Sequence, residues 1–103
     1  MFDAQWVSYP VVSNSARIQH TGMARPSPIH AGDPVLVGIG QAIRDLRLEM
    51  GLSQEALAYE AGVDRSYMGG IERGEHNMTI INLLRICRCF SISVSELLRR
   101  ADV

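Results

Sequence analysis

Hydrophobic and polar positions follow two regimes along this chain, and the change comes near residue 33. From there on, apolar residues recur at three- and four-residue intervals, the spacing of one face of a helix. Leu36, Ile39, Ile43, Leu46 and Met50 form the first stripe. Asp33 before Pro34 opens it, since aspartate caps a helix and proline fits the first turn. Gly51 ends it. Ser53 caps a second helix with Glu55 in its first turn and Leu57, Ala58 and Ala61 inside, and Gly62 stops it. Asp64 caps a third, with Met68 and Ile71 inward and Gly74 as the breaker. Thr79 opens a fourth through Leu83, Ile86, Cys87 and Phe90. "SVSE", from Ser93 to Glu96, has the capping-box pattern for a short fifth helix with Leu97 and Leu98. Five helices, short connections and no strand pattern predict a compact all-α domain over residues 33–103.

Residues 1–32 lack any such period. They hold Pro10, Pro26 and Pro28 with scattered Ser, Asn and Gly, and read as a flexible N-terminal tail. "AQWVSYPVV" has strand-forming residues but no sheet to join. Trp6, Val7 and Tyr9 are the positions through which the tail would dock on a protein partner, and Met23 is an alternative start.

Composition bounds the function classes. At 103 residues, 47% hydrophobic and 20% charged, the chain has material for one modest core. No apolar run approaches the roughly 20 residues of a membrane helix. The N-terminus lacks the basic-then-apolar layout of a secretory signal, so the expectation is a cytoplasmic protein with no membrane partner. Net charge is −1, which does not advertise a nucleic-acid binder, yet all ten basic residues are arginines. Arginine makes forked contacts to phosphate and guanine, so a local arginine face suffices. Cys87 and Cys89 point to different helix faces and read as buried reduced thiols, while His20, His30 and His76 lie in unrelated contexts. The chain thus offers no metal site, no cofactor motif and no ligand domain. With no nucleophile–base arrangement or phosphate loop, it does not read as an enzyme.

The second and third helices join through "EAGVD", a tight glycine turn of the kind that makes a helix-turn-helix. Ala58 is small where the helices cross, Gly62 accepts a left-handed conformation, and Leu57, Val63, Met68 and Ile71 supply a core. Over about residues 39–98 the sequence resembles the Cro/phage-repressor (XRE) helix-turn-helix family. An arginine-rich first helix, "GLSQEALA", "AGV", "IERG" and an "L-L-x-I" helix match it in order. The resemblance implies a five-helix repressor-like DNA-binding domain. It further implies a sequence-specific transcriptional regulator, a repressor or autoregulator that binds a palindromic operator in double-stranded DNA as a homodimer. Small stand-alone members include restriction–modification controllers and antitoxins. Gln54, with the backbone at Ser53, would take a phosphate at the second helix's start. Arg65, Ser66 and the outward position Gly70 would read bases, and Arg73 would touch phosphate. Arg47 and Glu72 would form a structural ion pair. The family often has an arginine in the loop where this chain has His76, which would contact phosphate when protonated. Ile81, Leu84 and Leu98 are the dimer candidates. An alternative is an interaction module, antitoxin-like, that docks a protein partner.

With Met68 and Ile71 inward, steps of about 100° put Ser66, Gly69, Gly70 and Arg73 farthest outward and Arg65 on the flank. The two adjacent glycines of "SYMGGIERG" cost the helix about 2 kcal/mol of propensity relative to alanine. On this reading they act by absence, letting the backbone approach the groove, and Gly70→Ala should stabilise the fold while weakening DNA binding.

Overall fold

The computed structural model describes residues 25–103. Trp6, Val7, Tyr9, His20 and Met23 lie outside the described residues. Five helices follow one another: α1 (Pro34–Glu49), α2 (Gln54–Ala61), α3 (Arg65–Glu72), α4 (Ile80–Cys89) and α5 (Val94–Ala101). There is no strand among the described residues.

Each helix begins on a side-chain cap. Asp33 accepts from the Val35 N–H at 2.8 Å, Ser53 from Ala56 at 2.9 Å and Asp64 from Ser66 at 2.9 Å. Thr79 accepts from Asn82 at 3.1 Å and Ser93 from Glu96 at 3.0 Å. Each contact satisfies one of the N–H groups that a helix start leaves without an internal partner. Only the Ser93 half of the expected capping box is made, because Glu96 turns its carboxylate to Arg99 and Arg100.

The helix ends share one device. At the end of α2, Val63 N–H reaches the Ala58 carbonyl (2.9 Å) while Gly62 N–H reaches that of Tyr59 (3.2 Å). Gly62 itself is left-handed, with φ 76°. The same pairing closes α4, but there a serine, Ser91, takes the left-handed conformation at φ 56°.

Ile43, Leu57, Met68, Ile71, Ile86 and Leu97 are fully buried and bring all five helices to one core. Met50, the last position of the α1 stripe, is 51% exposed. It falls at the cap, where Gly51 turns the chain away and the helical period stops predicting direction. Packing of α1 on α3 is backbone on backbone: a Cβ on Gly40 would fall 2.3 Å from the Ile71 carbonyl oxygen and 2.7 Å from that of Glu72. Cys87 is in the core and Cys89 is half-buried, and burial pushes both thiols up to about 11. Both are free cysteines, protonated at neutral pH.

Residues before the expected start at Asp33 also touch the helical domain. Ser27 N–H donates to the Glu75 carbonyl at 2.7 Å and Gly32 N–H to that of Gly74 at 2.9 Å. A local turn, with His30 N–H donating to Ser27 Oγ at 3.0 Å, holds this segment in shape.

Candidate nucleic-acid interface

The three-residue link Gly62–Asp64 sets α3 directly against α2, and its geometry follows from the sequence. Gly62 reverses the chain, Val63 is buried as an apolar plug, and Asp64 restarts the helix by accepting from both Ser66 and Tyr67. The first turn of α3 is therefore rigid at its base and open at its surface. Arg65 and Ser66 are both exposed there. Ser53 is exposed at the start of α2, with Gln54 half-buried beside it.

A polar network ties three helices together at the other end of α3. Arg47 on α1 forks onto Glu72 on α3, Nε donating to Oε2 at 2.7 Å and Nη2 to Oε1 at 3.2 Å. Gln54 Nε2 donates to the same Oε1 at 2.9 Å, and Arg47 Nη1 donates to the Leu52 carbonyl at 2.8 Å. The structure thus joins Arg47 to Glu72 and brings in Gln54 as a third member that the sequence did not reveal. A fork onto carboxylate fixes direction as well as charge, so this network sets the angle between α2 and α3.

The second half of α3 is not the open surface that helical arithmetic expects. Gly69 and Gly70 are buried. A Cβ on Gly70 would lie 2.2 Å from His76 Nε2, and one on Gly69 would lie 3.1 Å from Arg73 Nη1 and 3.5 Å from Gln54 Oε1. Gly70 is therefore corrected from an outward base-reading position to the seat of an imidazole. His76, expected as a phosphate contact, is 7% exposed and stacks on Tyr67 with ring centroids 4.6 Å apart. The angular count from the core treats α3 alone. It misses the loop after Gly74, which folds back over the same face.

Tyr67 is the residue that sequence reasoning passed over. It is buried, its hydroxyl accepts from Asn82 Nδ2 at 3.2 Å, and it backs His76. Its signal was present, since Tyr67 and Ile71 are four apart on one face. At the far end of α3, Arg73 is exposed but clasped by Glu75, Nε to Oε2 at 2.9 Å and Nη2 to Oε1 at 3.2 Å. That pairing lowers the Glu75 carboxyl below the usual range and raises the Arg73 guanidinium. Of the dimer candidates, Ile81 is 38% exposed, Leu84 is half-buried, and Leu98 packs against the core. No group of His, Cys, Asp and Glu among the described residues is arranged to hold a metal ion.

A compact five-helix domain with a helix-turn-helix at α2–α3 is a recurrent DNA-binding architecture. The helix-turn-helix family model matches residues 43–97, and the chain belongs to the XRE-type helix-turn-helix family. It is 37% identical over 60 residues to control protein C.BamHI of Bacillus amyloliquefaciens, covering 57% of this chain and 74% of that protein. The crystal structure of the restriction–modification controller protein C.AhdI from Aeromonas hydrophila matches with a TM-score of 0.59 and 48% identity, over 60% of this chain and 94% of that one. The wild-type controller protein C.Esp1396I matches with a TM-score of 0.59 and 37% identity, over 66% and 92%. No helix among the described residues is long and apolar enough to cross a membrane.

Proposed function

We propose that this protein is a sequence-specific DNA-binding transcriptional regulator of the controller type, and that it acts by recognition and not by catalysis. One observation carries the reading: Arg65 and Ser66 stand exposed on the first turn of α3, which Asp64 caps, while Glu72 at the helix's far end is clamped to α1 and α2. Arginine at a recognition-helix start offers a fork to guanine O6 and N7. Ser53 and Gln54 at the start of α2 are phosphate contacts, and Arg73, which meets Gln54 over Gly69, is a third when it leaves Glu75. The fork on Glu72 holds these groups in register before DNA arrives, so less ordering is left for the binding step.

One such helix covers only a few base pairs, so a stable complex takes two copies on a two-fold operator. Ile81, with support from Leu84 and Leu98, is the apolar surface assigned to that dimer. The two recognition helices would then sit roughly 34–36 Å apart.

The test is a gel-shift titration on DNA from immediately upstream of the protein's own reading frame, against a scrambled duplex, at several salt concentrations. The expected result is preferential binding that weakens steeply with salt. Equal affinity for both duplexes at every salt concentration would reject the proposal.

A further inference from the structure

The segment just before α1 brings an arginine close to the loop that leaves α3. Ser27 N–H donates to the Glu75 carbonyl at 2.7 Å and Gly32 N–H to that of Gly74 at 2.9 Å, so residues 27–32 lie along the loop that leaves α3. Within this segment Ala31 N–H donates to the Ser27 carbonyl at 3.2 Å and Asp33 N–H to that of His30 at 2.9 Å. The piece is a built turn. Arg25 stands two residues before Ser27, within about 7 Å along the chain. It precedes Pro26, which disfavours a helical backbone at Arg25.

Charge distinguishes this arginine from its neighbour. The Arg73 guanidinium already forks onto Glu75, so that pair adds little net positive charge to the end of α3. Arg25 is exposed, and no described carboxylate pairs with it. Residues 25–32 contain no acidic side chain. The cation that this segment adds near the end of α3 is therefore Arg25, well before residue 43, where the family match begins.

We infer that Arg25, anchored beside the loop after α3 by the bonds of Ser27 and Gly32 to Glu75 and Gly74, is a DNA-phosphate contact added to the helix-turn-helix. This rests on the DNA-binding reading above. A phosphate neutralised by an arginine releases counterions, so each such contact adds about 0.9 to the slope of log affinity against log salt. The contact is to the DNA backbone, so it strengthens binding without choosing a sequence.

Fluorescence anisotropy with the full chain tests it, using the upstream duplex and its scrambled counterpart over about 50–200 mM salt. Arg25→Ala should weaken binding to both duplexes by a similar factor, about three- to tenfold, and lower the salt slope by about 0.9. Arg25→Lys should retain most of the slope, because charge is what phosphate reads. Arg25→Ala with wild-type affinity and slope overturns the inference alone, and so does a loss confined to the upstream duplex, which would make Arg25 a base reader. A wild-type chain that binds neither duplex overturns the inference together with the reading beneath it. Unfolding curves of wild type and variant should coincide, and a shifted midpoint in Arg25→Ala with an unchanged salt slope also counts against the contact.

Discussion

The two halves of α3 are made from one continuous helix but do opposite work. The first turn presents Arg65 and Ser66 to solvent on a base held by Asp64. The second half presents almost nothing: Gly69 and Gly70 are roofed by Arg73, Gln54 and His76, and Glu72 is buried in a fork with Arg47. Position along α3 thus separates an exposed, capped start from an anchoring end. The anchoring half uses both backbone contact and buried charge, while the first turn, to which base reading is proposed, carries exposed side chains on a capped start. Substitutions in the two halves should separate stability from recognition.

The largest expected effect is on the buried fork. Side-chain exposure is 10% at Arg47 and 3% at Glu72, so removing one partner leaves a charge buried and unpaired. Arg47→Ala should lower unfolding stability by about 3–5 kcal/mol, read from urea titration. A cost under about 1 kcal/mol would mean that the pair behaves like an ordinary surface bridge, and the comparison between halves would lose its firmest support.

Next comes the crossing of α1 on α3. A Cβ at Gly40 would press on the Ile71 and Glu72 carbonyl oxygens at 2.3 and 2.7 Å, atoms that cannot rotate away. Gly40→Ala should therefore cost about 3 kcal/mol by forcing two backbones apart, despite alanine's better helix propensity. Thermal unfolding reads this directly. A neutral Gly40→Ala would show that the helices part without penalty.

Arg65→Ala tests the other half. It should leave the unfolding midpoint alone and remove about 1–3 kcal/mol of preference between the upstream and scrambled duplexes, as for a lost forked base contact. Weakening that is equal on both duplexes would reassign Arg65 to phosphate. A shifted midpoint would mean that the first turn also anchors.

How much of this was legible in the sequence depends on how local the cause is. The five helix starts were readable because a cap and the N–H groups it serves lie within three residues of each other. The core stripes were readable because the helical period puts Leu57, Met68, Ile71 and Ile86 on inward faces, and the period failed where a cap or a returning loop intervened, at Met50 and Gly70. Arg47 with Glu72 came through the family resemblance, since nothing local links residues twenty-five apart. Three features were hidden. Gln54 reaches Glu72 only because of the angle at which α2 meets α3. His76 covers Gly70 only because the loop doubles back after Gly74. The attachment of residues 27–32 to Gly74 and Glu75 runs through backbone atoms, and those leave no trace in side-chain pattern.

The smallest effects concern the two adjacent glycines, and they sharpen the comparison most because they should differ in sign. At Gly69 the nearest obstacle to a Cβ is the tip of the Arg73 side chain at 3.1 Å, exposed and able to swing aside. Gly69→Ala should then gain most of the helix propensity difference, stabilising the fold by up to about 1 kcal/mol. At Gly70 the obstacle is the His76 ring at 2.2 Å, buried and stacked on Tyr67. The ring can give way only by leaving that stack, an overpacking cost of about 1–3 kcal/mol that outweighs the same propensity gain. Gly70→Ala should therefore destabilise by about 1 kcal/mol, the reverse of what an open, groove-facing glycine predicts. Since the obstacle is a single side chain, adding His76→Ala should remove much of the penalty for Gly70→Ala, a non-additivity that a double-mutant cycle in urea measures. If both single glycine variants stabilise equally, the ring does not constrain Gly70, and the second half of α3 is as open as the first.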